Sequence, residues 1–197
     1  MTASTTSTAT LRRAVFPRVN VLTDALVIFG GALFVAAFAQ ISIPLPFTPV
    51  PITGQTFAVL LVAGALGTVC GTASMGLYML MGIVGLPVYA DHTHGLEVIK
   101  SATGGYIVGF LIAGLVVGFL AERKWDQKFS SSVTMMLTGN VIIFFVGLLW
   151  LQQVLHTDLA DTLKYGLYPF VPGEIVKLYL AGALLPGAWA LVRRIRK

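Results

Sequence analysis

From Ala25 to Ala90 the chain carries no Asp, Glu, Lys or Arg. One bilayer crossing takes about 20 apolar residues, so this run is too long for a single helix and must hold several spans. Prolines and glycines divide it. The rest of the chain fits the same setting: 56% of residues are hydrophobic and 11% charged, against roughly 25% charged in an ordinary soluble domain, and the mean hydropathy is +0.86. The ten-residue alternation of an outer-membrane barrel is missing, which leaves a helical bundle as the way to satisfy every backbone group in lipid. The expected fold is therefore all-α, a polytopic membrane protein.

The punctuation of the chain predicts one domain of six spans, residues 21–197, after a flexible Ser/Thr/Ala-rich tail, residues 1–20. Span 1 covers residues 21–40. Residues 41–53 contain Pro44, Pro46, Pro49 and Pro51 and cannot continue a helix, so they form an ordered extended loop. Spans 2 and 3 share residues 54–86, with a tight turn in the Gly- and Thr-rich stretch 67–74. Spans 4, 5 and 6 cover residues 104–121, 133–155 and 172–192.

Charge orients this arrangement, since cytoplasmic segments collect Lys and Arg. An even number of spans puts Arg12, Arg13, Arg18, Arg123, Lys124, Lys128, Arg193, Arg194, Arg196 and Lys197 on one side. The opposite loops hold Lys100 and Lys164 together with Asp91, Glu97, Asp158, Asp161 and all three histidines. Both termini are thus expected in the cytoplasm, with any pocket built from the outer loops opening outward. The net charge of +5 does not form one patch, so no nucleic-acid partner is expected. The basic start before span 1 resembles a signal peptide, but its apolar core exceeds a usual h-region, and its removal would leave an odd number of spans; it is expected to stay.

Motifs that carry chemistry are mostly missing. There is no phosphate loop, no His-Glu-x-x-His, no Gly-x-Ser-x-Gly and no repeated Cys or His spacing, so the chain is not expected to be an enzyme or to hydrolyse ATP itself. No metal site is expected: His92 and His94 read as solvated loop residues, Asp24 as an acid at a helix start, and Cys70 as a small packing residue. What stands out is Glu174 and Lys177, an acid and a base on one face of the last span. Insertion scales put such groups at roughly 2.5 to 3.5 kcal/mol each at the bilayer centre, which makes a ligand site the default reading. An interhelix salt bridge, or an enzyme with Glu174 as base, stays open on these residues alone. Small-residue spacings at Ala32 and Ala36, Gly67 and Gly71, and Gly114 and Gly118 allow close helix approach, within the bundle or to another subunit.

Four stretches then carry a resemblance: Pro46-Phe47-Thr48-Pro49-Val50-Pro51 running on through Thr53-Gly54-Gln55-Thr56; Gly85-Leu86-Pro87-Val88-Tyr89-Ala90; Thr103-Gly104-Gly105-Tyr106; and Pro172-Gly173-Glu174-Ile175-Val176-Lys177. In this order they closely resemble the BioY family, the biotin-specific substrate-binding (S) components of energy-coupling factor (ECF) transporters. The resemblance covers the chain after residue 20. It implies a six-helix S component in a prokaryotic cytoplasmic membrane that captures biotin from outside. A transmembrane coupling (T) protein and ATPase subunits would be its partners, and no cofactor is implied. The alternative within transport is an S component for another small vitamin.

The resemblance also implies roles. Glu174 would accept from a ureido N–H of biotin and Lys177 would donate to its carbonyl or to the valerate carboxylate. Phe47, Val50, Tyr89 and Tyr106 would wall the bicyclic ring, while Thr53, Gln55 and Thr103 would add hydrogen bonds. Ala32 and Ala36 would face the T protein. Two departures stand out: Glu174 replaces the usual Asp, and the loop Asp91-His92-Thr93-His94-Gly95 replaces a glycine-rich one.

The charge distribution generates a direct test of topology. In a Cys70→Ser background, a single cysteine at Ser131 should be labelled only from the cytoplasm, and cysteines at His92 and Asp158 only from outside. Labelling of His92 and Ser131 from one face would rule out the six-span arrangement and with it the outward-opening pocket.

Overall fold

A computed structural model of the chain describes residues 10–16 and 20–195. The tail before Thr10, Arg18, Arg196 and Lys197 lie outside the described residues. Among the described residues five helices are long and apolar enough to cross a membrane: α2 (Val21–Ala39), α3 (Gln55–Ile83), α5 (Gly104–Glu122), α6 (Phe129–Leu155) and α8 (Val171–Ile195). Three shorter helices join them, α1 (Leu11–Val15), α4 (Leu96–Lys100) and α7 (Leu159–Gly166). The 41–53 loop is an extended antiparallel hairpin, β1 (Ser42–Ile43) and β2 (Ile52–Thr53), with Ser42 opposite Thr53.

The expected spans 2 and 3 are one helical stretch, α3, broken at Gly67, where φ is +83° and ψ −174°. The break is one residue wide, narrower than the turn expected over 67–74, because a glycine in that conformation reverses the chain without help from its neighbours. The two arms, 55–66 and 68–83, fold back on each other. A Cβ on Gly71 would lie 2.9 Å from the Cα of Ala63, whereas eight residues along one straight helix are about 12 Å apart. Farther from the break, Gln55 Nε2 donates to Tyr78 Oη at 2.7 Å.

Small residues set the other close approaches. On α5 a Cβ at Gly118 would sit 2.5 Å from the backbone N of Thr68, and one at Gly114 would sit 3.4 Å from the Cα of Thr72, so the second arm of α3 runs antiparallel to α5. The core follows the order α2, α3, α5, α6, α8, with α8 returning to α3. Ala32 (0% exposed) and Ala36 (8%) belong to this core, which corrects their expected place on an open partner face. Small side chains here let α2 lie close to α3: a Cβ on the neighbouring Gly31 would meet Ser74 and Val62.

The described part of the expected flexible tail is also ordered. Leu11–Val15 form α1, capped by Thr10, whose side chain accepts from Arg13 N at 3.4 Å. Arg12 is buried and ion-paired with Asp24 in the first turn of α2, which gives a guanidinium at the end of the bundle the partner it needs.

Gly67→Ala forces a side chain into the left-handed region, with its Cβ 2.7 Å from Thr10 Cγ2 and 2.9 Å from Glu122 Oε1. It should destabilise the purified protein by about 1–3 kcal/mol in thermal unfolding. Gly76→Ala, whose Cβ meets only Leu111 at 3.6 Å, should change stability by less than about 1 kcal/mol.

Candidate functional site

At the end of the bundle that carries the β1–β2 hairpin, the chain encloses a cavity of about 240 Å³. The start of α3 supplies Gln55 and Thr56, α5 supplies Tyr106, Ile107 and Phe110, α6 Phe144 and α8 Glu174, with Phe170 just before it. Three segments close the rim, Pro49 to Thr53, Tyr89 to Thr93 and Val98 to Thr103.

The floor is a charged network. Glu174 is buried in the first turn of α8, where the positive end of the helix dipole favours an acid. Its Oε1 accepts from Lys177 Nζ at 2.6 Å and from Thr56 Oγ1 at 2.9 Å, and its Oε2 accepts from Asn140 Nδ2 at 2.9 Å. Lys177 Nζ also approaches the Thr53 carbonyl at 2.6 Å and Thr56 Oγ1 at 3.3 Å. All three ammonium protons therefore have acceptors inside the protein. Such charge-assisted bonds offset the desolvation that either group alone would suffer.

Around this floor the predicted residues fall into two sets. Gln55, Thr53, Val50, Tyr89, Thr103, Tyr106 and Glu174 all line the cavity. Gln55 accepts from Thr53 Oγ1 at 2.8 Å while its Nε2 holds Tyr78. Tyr106 donates to the Gly166 carbonyl at 2.8 Å and meets Phe144 edge-on at 5.7 Å. Tyr89 donates to the Met79 carbonyl at 2.6 Å and packs edge-on against Tyr78. Lys177 and Phe47 do not line the cavity: the first lies behind Glu174, and the second is 54% exposed because the proline-rich hairpin turns its ring outward.

Sequence reasoning missed Thr56, Asn140, Phe110, Phe144, Phe170 and Gln40. Asn140 had a signal, as an amide in the middle of an otherwise apolar span. Gln40 had none, yet its Nε2 reaches the carbonyls of Val88 (3.4 Å) and Tyr89 (3.1 Å) and its Oε1 accepts from His92 N at 3.1 Å. One side chain thus fastens the 88–92 loop to the end of α2. Ser42 Oγ adds a bond to Asp91 Oδ2 at 3.2 Å. A second, apolar groove of about 190 Å³ lies between α6 and α8 and shares Glu174 and Phe144 with the cavity. Among the described residues no group of three or more His, Cys, Asp or Glu side chains is arranged for a metal.

Against known proteins, the profile of the BioY family matches residues 6–194. The chain is similar to "Biotin transporter BioY" of Thermotoga maritima, with 38% identity over 157 residues that cover 80% of this chain and 89% of the relative. It is also similar to "Biotin transporter BioY2" of Lactococcus lactis subsp. cremoris, at 34% identity over 76% of this chain and 81% of the relative. A crystal structure of the S-component for biotin from an ECF-type ABC transporter superposes with a TM-score of 0.76 at 26% identity, covering 91% of this chain and 95% of that one.

Removing one partner of the buried pair strands the other. Lys177→Met should cost about 3–5 kcal/mol in thermal unfolding, and Glu174→Gln combined with Lys177→Met should recover most of it. A single variant as stable as the parent would show that the carboxylate needs no ammonium.

Proposed function

The chain belongs to the BioY family, and we propose that it captures biotin in the cavity above Glu174 and takes it up as the S component of an ECF transporter. It is a transporter and not an enzyme. The observation that carries this reading is the Glu174 network at the base of an aromatic-walled cavity whose volume suits one small bicyclic ligand.

The chemistry follows from what is already bonded. An ionised carboxylate offers about four acceptor positions, and Glu174 uses three, for Lys177, Thr56 and Asn140. The fourth accepts a ureido N–H of biotin. The Gln55 amide has one proton on Tyr78 and a second for the ureido carbonyl. Lys177 acts through Glu174, holding it aimed by their hydrogen bond, rather than by touching the ligand. Tyr106, Phe110, Phe144 and Phe170 form the apolar wall that the thiophane ring needs, with Val50, Tyr89, Thr53 and Thr103 closer to the rim.

Six crossings belong to the same reading. Each arm of α3 then spans the bilayer on its own, thinned locally as short spans require, and both termini lie in the cytoplasm of a prokaryote with the cavity facing out. A T protein and ATPase subunits supply energy. With Ala32 and Ala36 inside the bundle, the face that α2 leaves for a membrane partner is the exposed one, which includes Leu26, Phe29 and Leu33.

Tritiated biotin should bind the purified protein. Glu174→Ala should weaken binding more than tenfold, about 1.4 kcal/mol, and Glu174→Gln should weaken it less, because an amide oxygen still accepts from the ureido. A folded parent protein that binds no biotin would overturn the assignment.

A further inference from the structure

The rim of the cavity has a hydrogen-bonding polarity that constrains the other end of the ligand. Thr93 Oγ1 donates to the Ala90 carbonyl at 2.7 Å, and Ser101 Oγ donates to the Val98 carbonyl at 2.7 Å. Ser101 and Thr103 hydroxyls lie 3.1 Å apart. Since a hydroxyl carries one proton and that of Ser101 is already placed, Thr103 is the donor in this pair. The backbone amides are engaged too: Thr93 N and Ser101 N bond the carbonyls of Ala90 and Val98, Thr103 N bonds Ser101 Oγ, and Gly104 N bonds the Ser101 carbonyl. With their protons spent, the Thr93 and Thr103 hydroxyls have oxygen lone pairs left to offer, while both lone pairs of Ser101 Oγ are taken by Thr103. Asp91, also on the rim, adds a carboxylate whose Oδ2 is held by Ser42.

Charge points the same way. Among the described residues, the ionised groups lining the cavity are Asp91 and Glu174, and every proton of the nearby Lys177 is bonded within the protein. A carboxylate at this rim meets acceptors and a like charge, which disfavour its ionised form. An N–H meets partners.

We propose that the rim subsite accepts hydrogen-bond-donating tails, so that amides of biotin are ligands on at least equal terms with the free acid. The inference rests on the biotin reading and deepens it: with the ureido ring at Glu174, the valeryl end lies at Asp91, Thr93, Ser101 and Thr103. Uptake would then extend to biotin still amide-linked, the form in which hydrolysis of biotinylated protein releases it.

Displacement of tritiated biotin from the purified protein in nanodiscs by biotin carboxamide, the neutral isostere of the acid, tests this. The carboxamide should bind within threefold of free biotin or more tightly. In Asp91→Asn, a residue type that also tolerates the +54° φ at this position, the ratio of acid to amide affinity should rise at least threefold. A carboxamide more than threefold weaker than the acid, or an unchanged ratio in Asp91→Asn, would overturn the proposal while leaving biotin as the ligand. No binding of biotin itself would overturn the underlying reading instead.

Discussion

A carboxylate buried among apolar helices needs partners from the protein, and the cavity end of this structure is arranged around that constraint. Glu174 of α8 is bonded by Thr56 of α3, by Asn140 of α6 and by Lys177 one turn along its own helix. Lys177 in turn draws on the Thr53 carbonyl at the end of β2. Three helices and the hairpin must therefore meet within hydrogen-bond distance of one another. The cavity is the space that remains above their meeting point. Loss of any one donor leaves a buried charge short of a partner, which is more damaging than never having placed the charge there.

Much of this was legible in the chain. The charge-free run from Ala25 to Ala90 announced a helical membrane protein, and the proline-rich hairpin, the last-span acid and base, and Gln55 all stood out as breaks in an apolar pattern. What was not legible is rotation. Apolar spans with little amphipathic contrast do not reveal which face turns inward, so nothing in the sequence singled out Phe144 or Phe170 as facing the cavity. For the same reason Ala32 and Ala36 read equally well as an open face and as a packed one. The direction of Lys177 was also hidden, because the acceptors that draw it away from the cavity, Thr53 and Thr56, are more than 120 residues distant. Gly67 was placed in a turn, but only its positive φ shows that a single residue suffices.

The two ends of the bundle are held differently. At the cavity end, loops are fastened by partly or fully exposed bonds, chiefly Gln40 to the 88–92 segment and Ser42 to Asp91. Such bonds exchange readily with water and open at low cost. At the other end the polar groups are buried: Arg12 pairs with Asp24, and Asp126, between α5 and α6, accepts from Trp189 of α8. Burial pushes the Asp126 carboxyl up to about 6, and the Trp189 N–H opposes that rise. One end can therefore admit a ligand while the other keeps the helices in register.

Glu174 reaches two neighbouring helices from its own. Its reach lets a side chain rooted in α8 bond across to Thr56 of α3 and Asn140 of α6 at once, each at 2.9 Å. It also makes Glu174, with Phe144, a wall shared by the cavity and the apolar groove between α6 and α8. A polar wall one side chain thick, between an apolar groove and a cavity, is tolerable only when its lone pairs are nearly all taken. Three of the four acceptor positions are filled from within the protein. On the biotin reading proposed above, a ureido N–H fills the last, so the ring would complete the bonding of the protein as much as that of the ligand.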